Sequence, residues 1–211
     1  MAKHTLWLSL ASIVVGVVGA NPLGAVTITN VNLGTLTSPI ASTGTLQNQG
    51  VVLEEAFSIT SPSKLSIFTD SYGGGANVNG TTAMSGGFMT SLVLYNAAGN
   101  YVAGETFPFG NKDSVTGLAG DASITSGMLA SGSYILTVSD WQVQQPATAS
   151  NLSDGFINYG GGSAFIDVQG NTRNGSYSVN LATPEPATLW LMIPALGGLA
   201  LVLRKRQAVR S

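Results

Sequence analysis

The sequence contains no cysteine. It therefore has no disulfide framework, no thiolate nucleophile and no Cys-ligated zinc or iron–sulfur centre. Its one histidine is His4, three residues from the start. A Ser-His-Asp triad, a Cys-His pair and a His-ligated metal are all excluded from the folded body. Charge is scarce as well. Asp, Glu, Lys and Arg make up 9% of the 211 residues, against about 25% in an average soluble protein. With 44% apolar residues, this is not the composition of a disordered charged tail. The formal net charge of −2 offers no basic face to neutralise phosphates, so no nucleic-acid partner is expected. A long helical hydrophobic period is also lacking between the two ends of the chain.

What is present is concentrated in those ends. Lys3, with His4 beside it, opens a short positive region, and Thr5 to Val18 is an apolar run ending in Val18-Gly19-Ala20. This is the pattern of a secretory signal peptide over residues 1–20, with cleavage after Ala20. The run is short for an uncleaved membrane anchor and is followed by a polar chain. Residues 187–203 form the second apolar run. Seventeen residues at about 1.5 Å each cover roughly 25 Å, the short limit for a transmembrane helix. Arg204-Lys205-Arg206 and Arg210 follow, and the positive-inside rule holds them in the cytoplasm as a membrane-stop cluster. The amino-terminal charge stays inside too, so both ends place residues 21–186 outside. That segment keeps Lys64, Lys112 and Arg173 against all ten acids, a net charge of −7.

Thr183-Pro184-Glu185-Pro186-Ala187 stands directly before the second run. Proline locks φ and biases the preceding residue to an extended conformation, so this stretch is exposed and open to a protease at the membrane face. Pro184-Glu185-Pro186, a short apolar helix with a glycine pair, and a terminal Arg/Lys cluster together resemble the PEP-CTERM sorting signal over residues 183–207. Pro194 lies inside the apolar run, and Gln207 to Ser211 extend past the basic cluster. The resemblance implies export by the Sec translocon, an inner-membrane intermediate and processing at Pro184, Glu185 and Pro186 by an exosortase-type membrane enzyme. The product would then reach the cell surface or the medium. Exosortase systems accompany exopolysaccharide production, so extracellular polysaccharide is a further candidate partner.

The body reads as short strands. Val26–Thr29, Phe57–Thr60, Leu65–Thr69, Ser91–Tyr95, Tyr101-Val102, Tyr134–Ser139, Phe165–Val168 and Tyr177–Leu181 hold β-branched and aromatic residues, and Gly, Asn, Ser and Pro fill the gaps. Such spacing without intervening helices predicts an all-β fold, an antiparallel β-sandwich or jelly-roll-like ectodomain over 21–182. The sorting signal would occupy 183–211, with the transmembrane helix at 187–203 and the basic tail at 204–211. The ordered series Ala56-Phe57-Ser-Ile-Thr, Leu65-Ser-Ile-Phe, Leu92-Val-Leu-Tyr-Asn-Ala-Ala-Gly99 and Leu129-Ala-Ser-Gly-Ser-Tyr-Ile-Leu-Thr-Val138 resembles the bacterial pre-peptidase C-terminal type of β-sandwich. That resemblance spans about residues 55–140 and implies an accessory module without catalytic residues. Gly132 would make the tight turn before Tyr134, and Leu92, Leu94, Tyr134, Leu136 and Val138 would face the core.

Candidate chemistry is thin. Ten carboxylates are the only strong acid–base groups, and glycoside hydrolysis needs two of them across a cleft. Adjacent Glu54 and Glu55 would point to opposite faces of a strand, and sequence cannot pair the rest. The Asp- and Asn-rich loops at 70–79 and 113–121 have oxygens for calcium but lack the Asp-x-Asp-x-Asp-Gly spacing, which leaves turn chemistry. Gly73–Gly75 and Gly160–Gly162 lack the Lys-Ser/Thr of a phosphate loop. The triplets at Asn79, Asn151 and Asn174 spell glycosylation sequons but read as turns. Trp141 and Tyr159 could stack on sugar rings if exposed, although aromatic residues in strands more often pack inward. No metal and no cofactor is expected. The sequence points to an exported, non-enzymatic protein, structural or adhesive in the envelope or extracellular polysaccharide matrix. A secreted carbohydrate-binding module and a carboxylate-dependent polysaccharide-acting enzyme are the alternatives.

Overall fold

The computed structural model describes residues 15–17 and 24–183. Ala20, Pro184, Glu185, Pro186, the apolar run 187–203 and Arg204, Lys205 and Arg206 lie outside the described residues. Among the described residues no helix is long and apolar enough to cross a membrane. The one helical element there is a 3-10 turn at Leu152–Asp154.

Ten strands form two sheets. In chain order they are β1 (Val15–Val17), β2 (Thr27–Thr35), β3 (Ile40–Thr45), β4 (Val51–Ile59), β5 (Ser66–Thr69), β6 (Thr90–Asn96), β7 (Tyr101–Thr106), β8 (Ser123–Thr125), β9 (Gly132–Asp140) and β10 (Ser176–Ala182). The larger sheet runs β1-β2-β4-β9-β6-β7 and the smaller β8-β5-β10-β3. Four two-stranded ribbons complete the described residues.

Alternation decides which side chains meet between the sheets. Leu53 and Phe57 on β4, Leu92 and Leu94 on β6, and Leu136 and Val138 on β9 face Ile67 on β5, Ile124 on β8 and Val179 and Leu181 on β10. Tyr134 joins this core and stacks on Phe57 with ring centroids 5.9 Å apart. The five residues expected to face the core all do so. Burying each such side chain contributes about 1.5–3 kcal/mol, which fixes the registers of the strands that carry them.

The expectation of wholly antiparallel sheets needs one correction. β2 and β4 pair in parallel, Thr27 opposite Val51 through Thr35 opposite Ser58, with a register shift between Asn32 and Gly34. The intervening strand β3 belongs to the other sheet and pairs with β10. The chain therefore crosses from one layer to the other and back, and β4 returns in the direction of β2. The sequence reading also omitted β3, whose Ile-Ala-Ser-Thr-Gly-Thr has one large apolar residue and little alternation to detect.

The topology separates two ends. The connections 36–39, 60–65, 97–100 and 126–131 turn the chain at one end, where β10 also finishes at Ala182. The long connections 70–89 and 107–122 and most of 141–175 gather at the opposite end, while residues 150–155 reach back to pair with 98–101. The end where β10 finishes is the exit end, and the end of the long connections is the loop end.

Candidate functional site

The exit end is where the body hands over to the sorting signal. β10 is an interior strand, paired with β3 from Ser176 to Leu181 and with β5 from Val179 to Ala182. Val179 and Leu181 are fully buried. The stem of the signal is thus held by hydrogen bonds on both sides and by the core.

The loop end is built around aspartates. Asp121 accepts hydrogen bonds at Oδ1 from the backbone N–H of Ser71 (2.6 Å) and Tyr72 (3.0 Å) and from the Thr69 hydroxyl (2.9 Å). Its Oδ2 accepts from Gly73 N–H (2.9 Å). One carboxylate therefore pins the start of the 70–89 connection. Burial pushes its carboxyl up to about 6, against the lowering effect of those donors. A side chain at Gly73 would collide with the Asn111 carbonyl, so this glycine serves a close backbone approach rather than a phosphate cradle.

Asp113 closes the turn at 113–116 by accepting from Val115 N–H (3.0 Å) and Thr116 N–H (2.9 Å). It also forms a buried ion pair with Arg173 at 3.1 Å. Burial raises the Asp113 carboxyl, but Arg173 and the turn N–H groups outweigh it and hold it at about 2. The Arg173 guanidinium lies 4.1 Å over the Tyr72 ring and donates through Nε to the Gly87 carbonyl (3.2 Å). The Tyr72 hydroxyl donates to Asp167 Oδ2 (3.0 Å), and Asp167 Oδ1 accepts from Gln169 and Asn171 N–H, both at 2.9 Å. Arg173, Tyr72, Asp113 and Asp167 thereby cross-link the three long connections. Asp70 accepts from Asn180 (3.0 Å), which also donates to Asn77 (3.1 Å), under the Gly75–Ala83 ribbon.

These carboxylates accept from N–H and O–H donors of the loops and of the adjoining strands β5 and β10. Turn chemistry is what the Asp70–Asn79 and Asp113–Asp121 loops perform. Among the described residues no group of three His, Cys, Asp or Glu is arranged to hold a metal. The sequon residues do the same work: the backbone N–H of Thr81, Ser153 and Ser176 donates to Asn79, Asn151 and Asn174 respectively. Trp141 is not an exposed platform. It is half-buried, donates from Nε1 to the Ile166 carbonyl (2.9 Å) and meets Phe107 edge-on. Tyr159 is exposed.

On those pinned loops stand apolar side chains turned to solvent. Met84 and Val115 are 81% and 86% exposed, and Phe109, Tyr159 and Val168 are exposed as well. The sequence reading missed this set, because exposure of a single Met or Val in a polar loop leaves no periodic trace.

Glu54 and Glu55 do point to opposite faces. Glu55 lies in the core between the sheets with neither carboxylate oxygen hydrogen-bonded. Burial pushes its carboxyl up to about 7. Glu54 lies on the outer face of the larger sheet, raised by burial. It lines a cleft of about 780 Å³ with Ile28, Ile135, Phe156 and Asp154. Asp154 Oδ2 accepts from Ser150 (2.9 Å) and Asn151 (3.0 Å) N–H as the cap of the 3-10 turn, and these donors lower its carboxyl.

Residues 182–207 match the PEP-CTERM protein-sorting motif. The motif implies a protein exported and sorted to the surface, with processing by exosortase. No curated protein matches the chain. Among solved structures, the pre-peptidase C-terminal domain of a collagenase from Bacillus anthracis is similar, at 13% identity and TM-score 0.36, covering 74% of this chain and 94% of that one. PliG of Aeromonas hydrophila, a periplasmic inhibitor of g-type lysozyme, is similar at 10% identity and TM-score 0.35, covering 74% and 97%.

Proposed function

We propose that this is a surface-displayed, non-enzymatic adhesive protein of the envelope or extracellular polysaccharide matrix. Its leader, residues 1–20, is removed after Ala20. Its body, 21–182, is carried to the surface on a sorting signal at 183–211. In this reading the helix 187–203 and Arg204, Lys205 and Arg206 hold the tail in the inner membrane while the exosortase acts near Pro184, Glu185 and Pro186.

One observation carries the adhesive role. The chain departs for its sorting signal at one end of the sandwich, and the cross-linked loops bearing Met84, Val115 and Val168 stand at the other. A protein held by its exit end presents the loop end outward. Exposed apolar side chains on loops already fixed by hydrogen bonds contact a partner at little ordering cost. The triple variant Met84→Ser, Val115→Ser, Val168→Ser tests this. Retention on producing cells and their extracellular polymer should fall at least tenfold, with the melting temperature unchanged because all three side chains are exposed. Undiminished retention would remove the loop end from the function.

The cleft favours a second reading, a carbohydrate-binding module or carboxylate-dependent enzyme, because it brings Glu54 and Asp154 to one place. Binding or cleavage of a polysaccharide that Glu54→Gln abolishes would establish it. Asp154 already caps a turn, and Trp141 is not free to stack, so the adhesive reading stands first.

A further inference from the structure

Between His4 and Glu54 the sequence has no Asp, Glu, Lys or Arg. Two strands of this uncharged stretch, β2 and β3, lie along one side of the sandwich. β2 lies at the side of the larger sheet beside β4, and β3 is the edge of the smaller sheet. Four residues, 36–39, join them. Natural edge strands are blunted by charges, by proline or by bulges, because their free N–H and C=O groups pair with any strand that approaches. β2 has no charge and no proline, and its only irregularity toward β4 falls beyond Asn32. Thr27–Asn32 is thus an unprotected edge. Val31 and Leu33 on β2 and Ile40 on β3 pack against the core and stay partly exposed.

The outer edge of β2 is taken by β1, antiparallel, with Val15 opposite Thr29 and Val17 opposite Thr27. β1 lies upstream of the expected cleavage after Ala20. Removal of the leader therefore strips the strand that covers this edge at the step that releases the protein.

We propose that the freed β2 edge pairs with β2 of a second copy, antiparallel about a twofold axis, so that the exported protein assembles laterally through a continuous sheet. This rests on the leader reading above. An antiparallel edge is self-complementary, so one surface serves both partners. Charge supports a second copy as the occupant. Residues 21–186 have a net charge of −7, and copies of an acidic body repel except where they meet through a face without charge. The partly exposed Val31 and Leu33 gain cover in the same step. With β2 paired antiparallel, the loop ends of the two copies point in opposite directions and neither is buried in the contact.

The test uses protein exported by the producing cell from the full-length chain, its amino terminus read by intact mass. Because the chain has no cysteine, Asn30→Cys introduces a single exposed thiol on the edge. Thr125→Cys places one on β8, the edge of the smaller sheet farthest from β3. Mild oxidation should convert most of the Asn30→Cys protein to a covalent dimer and leave Thr125→Cys monomeric. Sedimentation should show a concentration-dependent dimer of the unaltered protein, weakened at least tenfold by Asn30→Lys with no change in melting temperature. A leaderless protein that sediments as a monomer, or a dimer indifferent to Asn30→Lys, would overturn the proposal while leaving the leader reading intact. An exported protein that retains residues 15–17 would overturn both.

Discussion

Glu55 shows how one residue couples the fold to pH. The alternation that buries Leu53 and Phe57 also buries Glu55, and neither of its oxygens has a hydrogen-bond partner. Its folded pKa, about 7, is above the ordinary 4.5. Below the ordinary value both states are protonated and nothing is lost. As pH rises from about 4.5 to about 7 the unfolded chain ionises first, so stability falls across that window. Asp121 and Asp140, raised by burial to about 6 and about 7, act in the same direction. Asp113, held at about 2, acts oppositely: its contribution is present above 3.8 and is lost as pH falls toward 2. Denaturation followed against pH should therefore show greater stability at pH 5 than at pH 8. Glu55→Gln should flatten that difference and raise stability at pH 8. A steeper slope in the variant would assign the dependence to other groups.

At the scale of elements, Arg173 is the tie between connections. It faces Asp113 from the 107–122 connection and Tyr72 from the 70–89 connection, and itself belongs to 141–175. The guanidinium and carboxylate are nearly inaccessible to water. Removing one partner of such a pair leaves a buried charge uncompensated, at a cost of about 3–5 kcal/mol. Arg173→Leu should lower stability by that amount and speed hydrogen exchange at 71–73 and 113–117, with β4, β6 and β9 still protected. Equal loss of protection in the strands would mean that the loops are not a separate unit. The sequence showed Asp113 and Arg173 as isolated charges 60 positions apart. Nothing in a linear pattern brings them together, because their contact depends on two connections folding over the same end.

For the whole molecule, the arrangement of ends is what relates structure to export. The charge at Arg204, Lys205 and Arg206 should hold the tail on the cytoplasmic side until processing. Neutral residues at all three positions should release unprocessed protein or misplace its tail, read by mapping both termini of the cell-surface and secreted forms by mass. Wild-type protein should begin near Asn21 and end near Pro184 to Ala187. An intact carboxyl terminus found only with the inner membrane would leave a plain anchored ectodomain. Unchanged processing in the triple variant would remove the basic cluster from the sorting role.

The sequence by itself determined the sorting signal and the all-β character. Both are local: a motif is read along the chain, and strand alternation repeats every two residues, so neighbours suffice to specify them. The core faces of β6 and β9 were expected from the resemblance to the pre-peptidase C-terminal type of β-sandwich, and the buried core holds them. Only the tertiary structure decided that β2 and β4 run parallel, that the aspartates fasten the loops, and that Glu54 and Asp154 share a cleft. It alone placed Met84, Val115 and Val168 opposite the departing strand, with exposed Met128 at the exit end. Each of these depends on which distant segments the buried core draws to the same end or face, and that is fixed by packing between sheets rather than by the order of residues within a strand.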